Sequence, residues 1–184
     1  MTAPRTRLWV ARHAPAIDGL ICYGRTDVAV RVAPQDAAQT LLESYRGEKP
    51  RRVWTSPVSR CRLVAEHVAK TLGVPLAIED ALCEIDFGAW EGRLWKSIQT
   101  DDRAAYEAWM ANWEHLPPPS GESPRDIEAR VRAWVSAVTK DDVAWLIAHS
   151  GVVRALAVIV EGATWPDAMR RQVAHLTWNS FDVP

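Results

Sequence analysis

Neither sign of charge dominates this chain: 22 Lys and Arg face 23 Asp and Glu over 184 residues, a net charge of -1. That removes any bulk electrostatic case for binding nucleic acid or an anionic membrane, so anion recognition has to come from local clusters. Cysteine is scarce as well. Cys22, Cys61 and Cys83 are an odd number without CxxC spacing, which argues against a disulfide framework or a zinc ribbon and for a reducing compartment. No apolar run approaches the ~20 residues of a membrane span, and the amino terminus has no apolar leader core, so a cytoplasmic protein is expected. His13, His67, His115, His149 and His175 show no HExxH or other paired metal spacing, and neither a GxxxxGK[ST] loop nor a GxGxxG fingerprint occurs. No metal and no cofactor are expected.

What is present is an alternation of apolar strands and helices. Residues 7–11 read as a strand, and residues 12–33 as a loop carrying Gly19 and Gly24. From Gln35 to Arg46, the residues Ala38, Leu41, Leu42 and Tyr45 recur at helical spacing. Val53-Trp54-Thr55 is a short strand stopped by Ser56-Pro57. Val58, Cys61, Val64, Ala65, Val68, Ala69 and Leu72 then form an apolar helical stripe ended by Gly73. Pro75 to Ile78 reads as a third strand, residues 80–100 show no clear period, and Asp102 to Trp113 reads as a helix. Three prolines keep Leu116 to Gly121 out of helix.

Ser123-Pro124-Arg125-Asp126 starts a helix with a Ser cap, Pro at the first helical position and an acid in the first turn. Ile127, Val131, Trp134, Val135 and Val138 give it a buried face. Val143 to Ala148 is an apolar strand, Val152 to Val160 a buried helix, Pro166 to Arg171 a helix and Val173 to Phe181 a last strand. The pattern predicts a three-layer α/β/α fold with a mostly parallel central sheet. A single domain over residues 1–184 accommodates it, with residues 93–122 the stretch available for a lid insertion. Ten tryptophans suggest base or sugar stacking, but most sit at core-periodic positions, and burial is the expectation for them.

Two of the strands end alike. Leu8-Trp9-Val10-Ala11 runs into Arg12-His13, and Val143 to Ala148 runs into His149-Ser150-Gly151. Ligands of open α/β sheets bind outside the carboxyl ends of strands, so the two histidines read as one site. Neutral imidazole is a competent nucleophile toward phosphorus, and an Arg-lined pocket lowers the pKa of His13 and keeps it neutral. His149 stands where a strand hands over to a helix, whose free N–H groups favour an anion; a plain helix cap by His149 and Ser150 is about as good a reading. Arg60, in Ser56-Pro57-Val58-Ser59-Arg60, offers a guanidinium fork to phosphate, against the alternative of a solvated helix face. Leu82-Cys83-Glu84-Ile85-Asp86-Phe87-Gly88-Ala89-Trp90-Glu91-Gly92 holds three acids, and spacing leaves Glu84, Asp86 and Glu91 all open as proton donors.

Taken in order, Arg12-His13, Ser56-Pro57-Val58-Ser59-Arg60, Glu84 before Phe87-Gly88-Ala89-Trp90-Glu91-Gly92, and Ala148-His149-Ser150-Gly151 resemble the histidine phosphatase superfamily, which includes the cofactor-dependent phosphoglycerate mutases. The resemblance spans nearly the whole chain. It implies a phosphoglycerate mutase-like fold and a metal-independent phosphomonoesterase in which His13 is phosphorylated. It also implies that Glu84 donates the proton, and that Arg12, Arg60 and His149, with Ser150 beside them, hold the phosphoryl group of a small-molecule phosphate ester. The chain departs from the family at Ala14, where Gly is usual, at Pro15-Ala16, where Glu-Thr or Glu-Ser is typical, and near Gly19, where a phosphate-binding Asn is common. Cys22-Tyr23-Gly24-Arg25-Thr26-Asp27 and Pro119-Ser120-Gly121-Glu122-Ser123 look most like the α-ribazole phosphatase branch, which acts late in cobalamin synthesis; this makes Arg25 and Glu122 candidate substrate contacts. A homodimer is compatible with the resemblance. Two rival readings stand beside it: a phosphoglycerate mutase-type phosphotransferase, which needs a lid against water, and a weakly active phospho-ligand binding protein, suggested by the altered loop after His13.

Overall fold

The computed structural model describes residues 6–138 and 143–183, with the side chain of Val138 outside the described set. Among the described residues, five strands form one sheet: β1 (Thr6–Arg12), β2 (Arg52–Thr55), β3 (Leu76–Ile78), β4 (Val143–Ala148) and β5 (Trp178–Val183), in the order β3-β2-β4-β1-β5. The first four are mutually parallel, and β5 runs antiparallel to β1 at the edge. All six residues of β4 are buried because the strand is covered on both faces. Ala144, Leu146 and Ala148 point into one apolar cluster, and Val143, Trp145 and Ile147 into the other.

Among the described residues there are seven α-helices: α1 (Pro34–Ser44), α2 (Ser59–Leu72), α3 (Trp95–Asp101), α4 (Arg103–Ala111), α5 (Pro124–Val138), α6 (Ser150–Glu161) and α7 (Trp165–Arg170). The helices α1 and α2 cover one face through Ala37, Leu41, Cys61, Val64 and Val68. The helices α5, α6 and α7 cover the other through Ile127, Val131, Val152, Leu156 and Trp165. The fold is the expected three-layer α/β/α arrangement.

Local chemistry sets the helix ends. Gly73 closes α2 at φ +63°, a conformation that costs glycine nothing. Ahead of α5, the Asp126 carboxylate accepts from the Ser123 N–H (2.8 Å) and hydroxyl (2.7 Å), a reciprocal capping arrangement.

Two expectations change. The aperiodic stretch 80–100 holds two single 3₁₀ turns, Asp80–Leu82 and Gly88–Trp90, followed by α3. Its order comes from a small separate core in which Cys22, Trp90 and Ile98 pack against Phe87, Trp95, Tyr106 and Trp109, contacts that no local period announces. The last strand begins at Trp178 and not at Val173. Residues 173–177 bind the end of β1 instead: Arg12 donates to the Val173 carbonyl (2.8 Å), the Leu176 N–H to the Arg12 carbonyl (2.9 Å), and His175 Nδ1–H to the His13 carbonyl (2.7 Å). Among the described residues no helix is long and apolar enough to cross a membrane.

Candidate active site

The parallel pairing of β1 with β4 sets Arg12 opposite Ala148, and the His13 N–H continues the ladder by donating to the Ala148 carbonyl (3.0 Å). His13 and His149 therefore leave the sheet at the same edge, with ring centroids 5.2 Å apart. His175 approaches His13 from β5's side at 5.4 Å.

His13 is 2% exposed. Its Nδ1 lies 2.7 Å from the Ala14 carbonyl, and a carbonyl can only accept, so the proton sits on Nδ1 and the Nε2 lone pair is available. Burial, then the charge of Arg60 and that of Arg12, outweigh the Ala14 hydrogen bond and lower the His13 pKa to about 3. His149 is fully buried and held well below its ordinary pKa by burial and by the charge of Arg60. Arg60 Nη2 donates to His149 Nδ1 (3.3 Å), so Nε2–H of His149 donates to the Ser56 hydroxyl (2.9 Å).

The loop ahead of α1 clamps Arg60. Its guanidinium donates to the carbonyls of Thr26 (2.9 Å) and Gly24 and lies over the Tyr23 ring at 5.3 Å. The Nε atoms of Arg12 and Arg60 are buried with no hydrogen-bond partner. Buried donors without acceptors are rare, and two beside a neutral imidazole suit an anion.

The three acids left open by spacing separate here. Glu91 accepts from the backbone N–H groups of Gly24 (2.9 Å), Arg25, Thr26 and Phe87, and so braces loops. Asp86 accepts from the Gly88 N–H (2.7 Å) within its own turn. Glu84 lies over the amino terminus of α6, accepting from the Gly151 N–H (3.0 Å), the Ser150 hydroxyl (3.1 Å) and the Ile85 N–H (3.0 Å). The carboxylate fits because residue 151 has no side chain: a Cβ there would stand 2.1 Å from Glu84 Oε1.

A cavity of about 380 Å³ opens at this edge, lined by Arg12, His13, Glu84 and Ser150 and by Trp95, Trp109 and Trp113. The last three come from residues 93–122, which thus form a wall of the cavity. His149 and Arg60 stand behind His13 and do not line it. Arg25 and Glu122 are placed elsewhere. They pair with each other (2.7 Å), and Glu122 also takes Arg130 (3.0 Å) and the Asp86 N–H (3.1 Å).

Arg130, which sequence reading passed over, donates to the carbonyls of Ala81 (2.7 Å), Cys83 (2.8 Å) and Glu84 (3.0 Å) and steadies the loop that carries Glu84. Its position among the polar residues of α5 gave no signal. Arg154 was missed too, though a lone charge inside the apolar run 152–160 was visible. Among the described residues, no group of three His, Cys, Asp or Glu side chains is arranged to hold a metal ion.

Residues 8–183 match the model of the histidine phosphatase superfamily (branch 1). The chain belongs to this superfamily. Over 183 residues it is 26% identical to the adenosylcobalamin/alpha-ribazole phosphatase of Escherichia coli (strain K12), covering 96% of this chain and 90% of that one. It is 31% identical over 144 residues to a 2,3-bisphosphoglycerate-dependent phosphoglycerate mutase of Chelativorans sp. (strain BNC1), covering 70% of this chain and 66% of that one. The crystal structure of the alpha-ribazole phosphatase from Shigella flexneri superposes with a TM-score of 0.85 at 23% identity, over 95% of this chain and 89% of that one. The Escherichia coli and Shigella flexneri proteins are named as phosphatases, and the motifs that led to the family are the ones gathered at this edge.

Proposed function

We propose that this histidine phosphatase is a single-domain, metal-independent phosphomonoesterase that works through phospho-His13, with α-ribazole 5′-phosphate as its candidate substrate. The observation that carries the reading is the His13 imidazole: neutral, with Nδ1 tied to the Ala14 carbonyl and Nε2 unengaged in a cavity that also holds Arg12 and Glu84.

Nε2 attacks phosphorus in line, the P–N bond forming as the P–O bond to the alcohol breaks. Protonated Glu84 gives its proton to the departing oxygen. Arg12, whose buried Nε has no other partner, stabilises the charge spread over the phosphoryl oxygens, while the positive charge of Arg60 and the His149 imidazole back His13 from behind. Water, deprotonated by the Glu84 carboxylate, then attacks phosphorus, breaking the P–N bond and releasing inorganic phosphate. The names of the E. coli and Shigella relatives support the α-ribazole ester. Arg25 and Glu122 support it only indirectly, by shaping the loops beside the cavity.

The mutase-type relative keeps a transfer reading in view. Against it stands the modest size of residues 93–122, the stretch available to keep water off a phosphoenzyme, which contributes Trp95, Trp109 and Trp113 to one cavity wall.

Phosphate release from a panel of phosphorylated metabolites, α-ribazole 5′-phosphate included, tests the reading, with phosphoglycerates as the arm that would expose a mutase. Enzyme dialysed against EDTA is expected to keep its full rate. Loss on chelation that a divalent ion restores would overturn the metal-independent mechanism.

The pH profile gives a second check. The kcat/KM profile reports ionisations of the free enzyme. With the His13 pKa lowered to about 3, the nucleophile is neutral at every pH above that value and loses reactivity only as pH falls through it. The acid limb due to His13 is therefore expected near pH 3. An acid limb near 6.5 that is lost in either His149→Asn or His175→Asn would point to an imidazole other than His13; one that persists in both, and does not move when the ester is exchanged for one of different phosphate pKa, would contradict a neutral His13.

A further inference from the structure

The α6 helix carries a cation that the phosphoryl chemistry does not use. Arg154 follows Ser150 by four residues, so the two share a helix face about 6 Å apart along the axis. Its neighbours Val152, Val153, Ala155 and Leu156 are buried in the core, whereas Arg154 lines the cavity. Its Nε is buried with no hydrogen-bond partner. Glu84, the nearest carboxylate in charge terms, directs its hydrogen bonds to Ser150, Gly151 and Ile85. Burial pushes the Arg154 pKa down, the charge of Glu84 opposes that and the charge of Arg12 adds to it.

The cavity that Arg154 lines is mostly apolar. Trp109, Trp113, Ile127, Trp165 and Met169 line it together with His13 and Glu84. Tryptophan walls take rings, and an unmet donor among them fixes how a ring is turned.

We propose that Arg154 is a specificity-determining residue, selecting phosphomonoesters whose alcohol carries a flat apolar ring with an oxygen or nitrogen acceptor roughly one helical turn from the phosphoryl group. The proposal rests on the phosphomonoesterase reading for the direction in which the ester lies. It names the substrate class: ring-bearing esters are preferred over phosphorylated open-chain polyols, which leave the tryptophans unused, and over amino-acid phosphates, whose ammonium Arg154 repels.

Calorimetric titration with phenylphosphonate and 4-carboxyphenylphosphonate tests it, because a P–C bond is not turned over and binding is read apart from catalysis. The wild-type protein is expected to bind the carboxy compound about tenfold more tightly, as a charged donor finding its acceptor would give. Arg154→Met, which keeps length and apolar volume, is expected to lose that preference, and Arg154→Lys to recover part of it. Should the Met variant fail to fold, Arg154→Gln carries the same expectation. Equal binding of both phosphonates by wild type, binding of neither, or a preference that survives in the Met or Gln variant overturns the assignment. Absence of ester hydrolysis with the preference intact would instead refute the phosphatase reading alone.

Discussion

His13→Ala is expected to abolish phosphate release from every ester, while Glu84→Gln is expected to fail selectively. The difference follows from what each group does. The neighbouring imidazole is not placed to take over: His149 has both ring nitrogens engaged, by Arg60 and Ser56, and does not line the cavity. Loss of the proton donor matters in proportion to the basicity of the leaving group. An alkyl ester departs as an alkoxide, and Glu84→Gln should cost about 10²–10⁴ in its rate, the usual range for general acid–base help. The phenolate of p-nitrophenyl phosphate leaves unaided, so phosphorylation by that ester should be far less affected, although turnover still slows where Glu84 must activate water. Steady-state rates of both variants on an alkyl and an activated ester give the comparison. Equal losses of Glu84→Gln on the two esters in the phosphorylation step would remove Glu84 as the acid.

The second large effect comes from a residue with no chemistry of its own. Gly151→Ala places a methyl group 2.1 Å from Glu84 Oε1 and 3.0 Å from Ile127 Cδ1. The obstructing group is a side-chain carboxylate, which can swing away, so the fold should survive at a cost of about 1–3 kcal/mol for overpacking. The catalytic price is larger, because Glu84 leaves the α6 amino terminus that positions it. Gly151→Ala is expected to reproduce the leaving-group dependence of Glu84→Gln, with alkyl-ester rates down about 10²-fold or more and a cooperative thermal transition retained. A variant that unfolds, or one that loses both esters equally, would show that residue 151 supports the helix and not the acid.

These expectations rest on elements that differ greatly in how well the chain announces them. The carboxyl ends of β1 and β4 were legible because an apolar run stops abruptly at Arg12-His13 and at His149, and parallel pairing then brings the two ends together. The stripe of α2 was equally plain, since Val58 to Leu72 keeps one face apolar and Gly73 ends it. The stretch 80–100 was not legible: two 3₁₀ turns are too short to show a period, and α3 is held by Trp90, Tyr106 and Trp109 packing on one another. The start of β5 was misread because Val173 and Leu176 look like strand residues, yet their backbone groups serve the end of β1.

Charged side chains were the hardest to assign. Nothing in sequence distinguishes Glu84 from Asp86 and Glu91 except what each finally accepts, and only the fold brings an α6 amino terminus to the first of them. Family resemblance chose Glu84 where spacing left it open. The same resemblance offered Arg25 and Glu122 as substrate contacts, whereas they pair with each other and Glu122 pairs with Arg130 as well. An ion pair and a ligand contact need the same residue types, so their partners have to be seen.

The central claim is that the phosphoryl group passes through His13. Rapid quench of wild-type enzyme mixed with radiolabelled activated ester, followed by peptide mapping, tests it most directly. The account predicts labelled protein within the first turnover, its label stable in alkali and lost in acid, on the peptide containing His13, accumulating further in Glu84→Gln and absent from His13→Ala. Label that persists in His13→Ala, or full turnover by wild type with no labelled protein at any time in the first cycle, would contradict it.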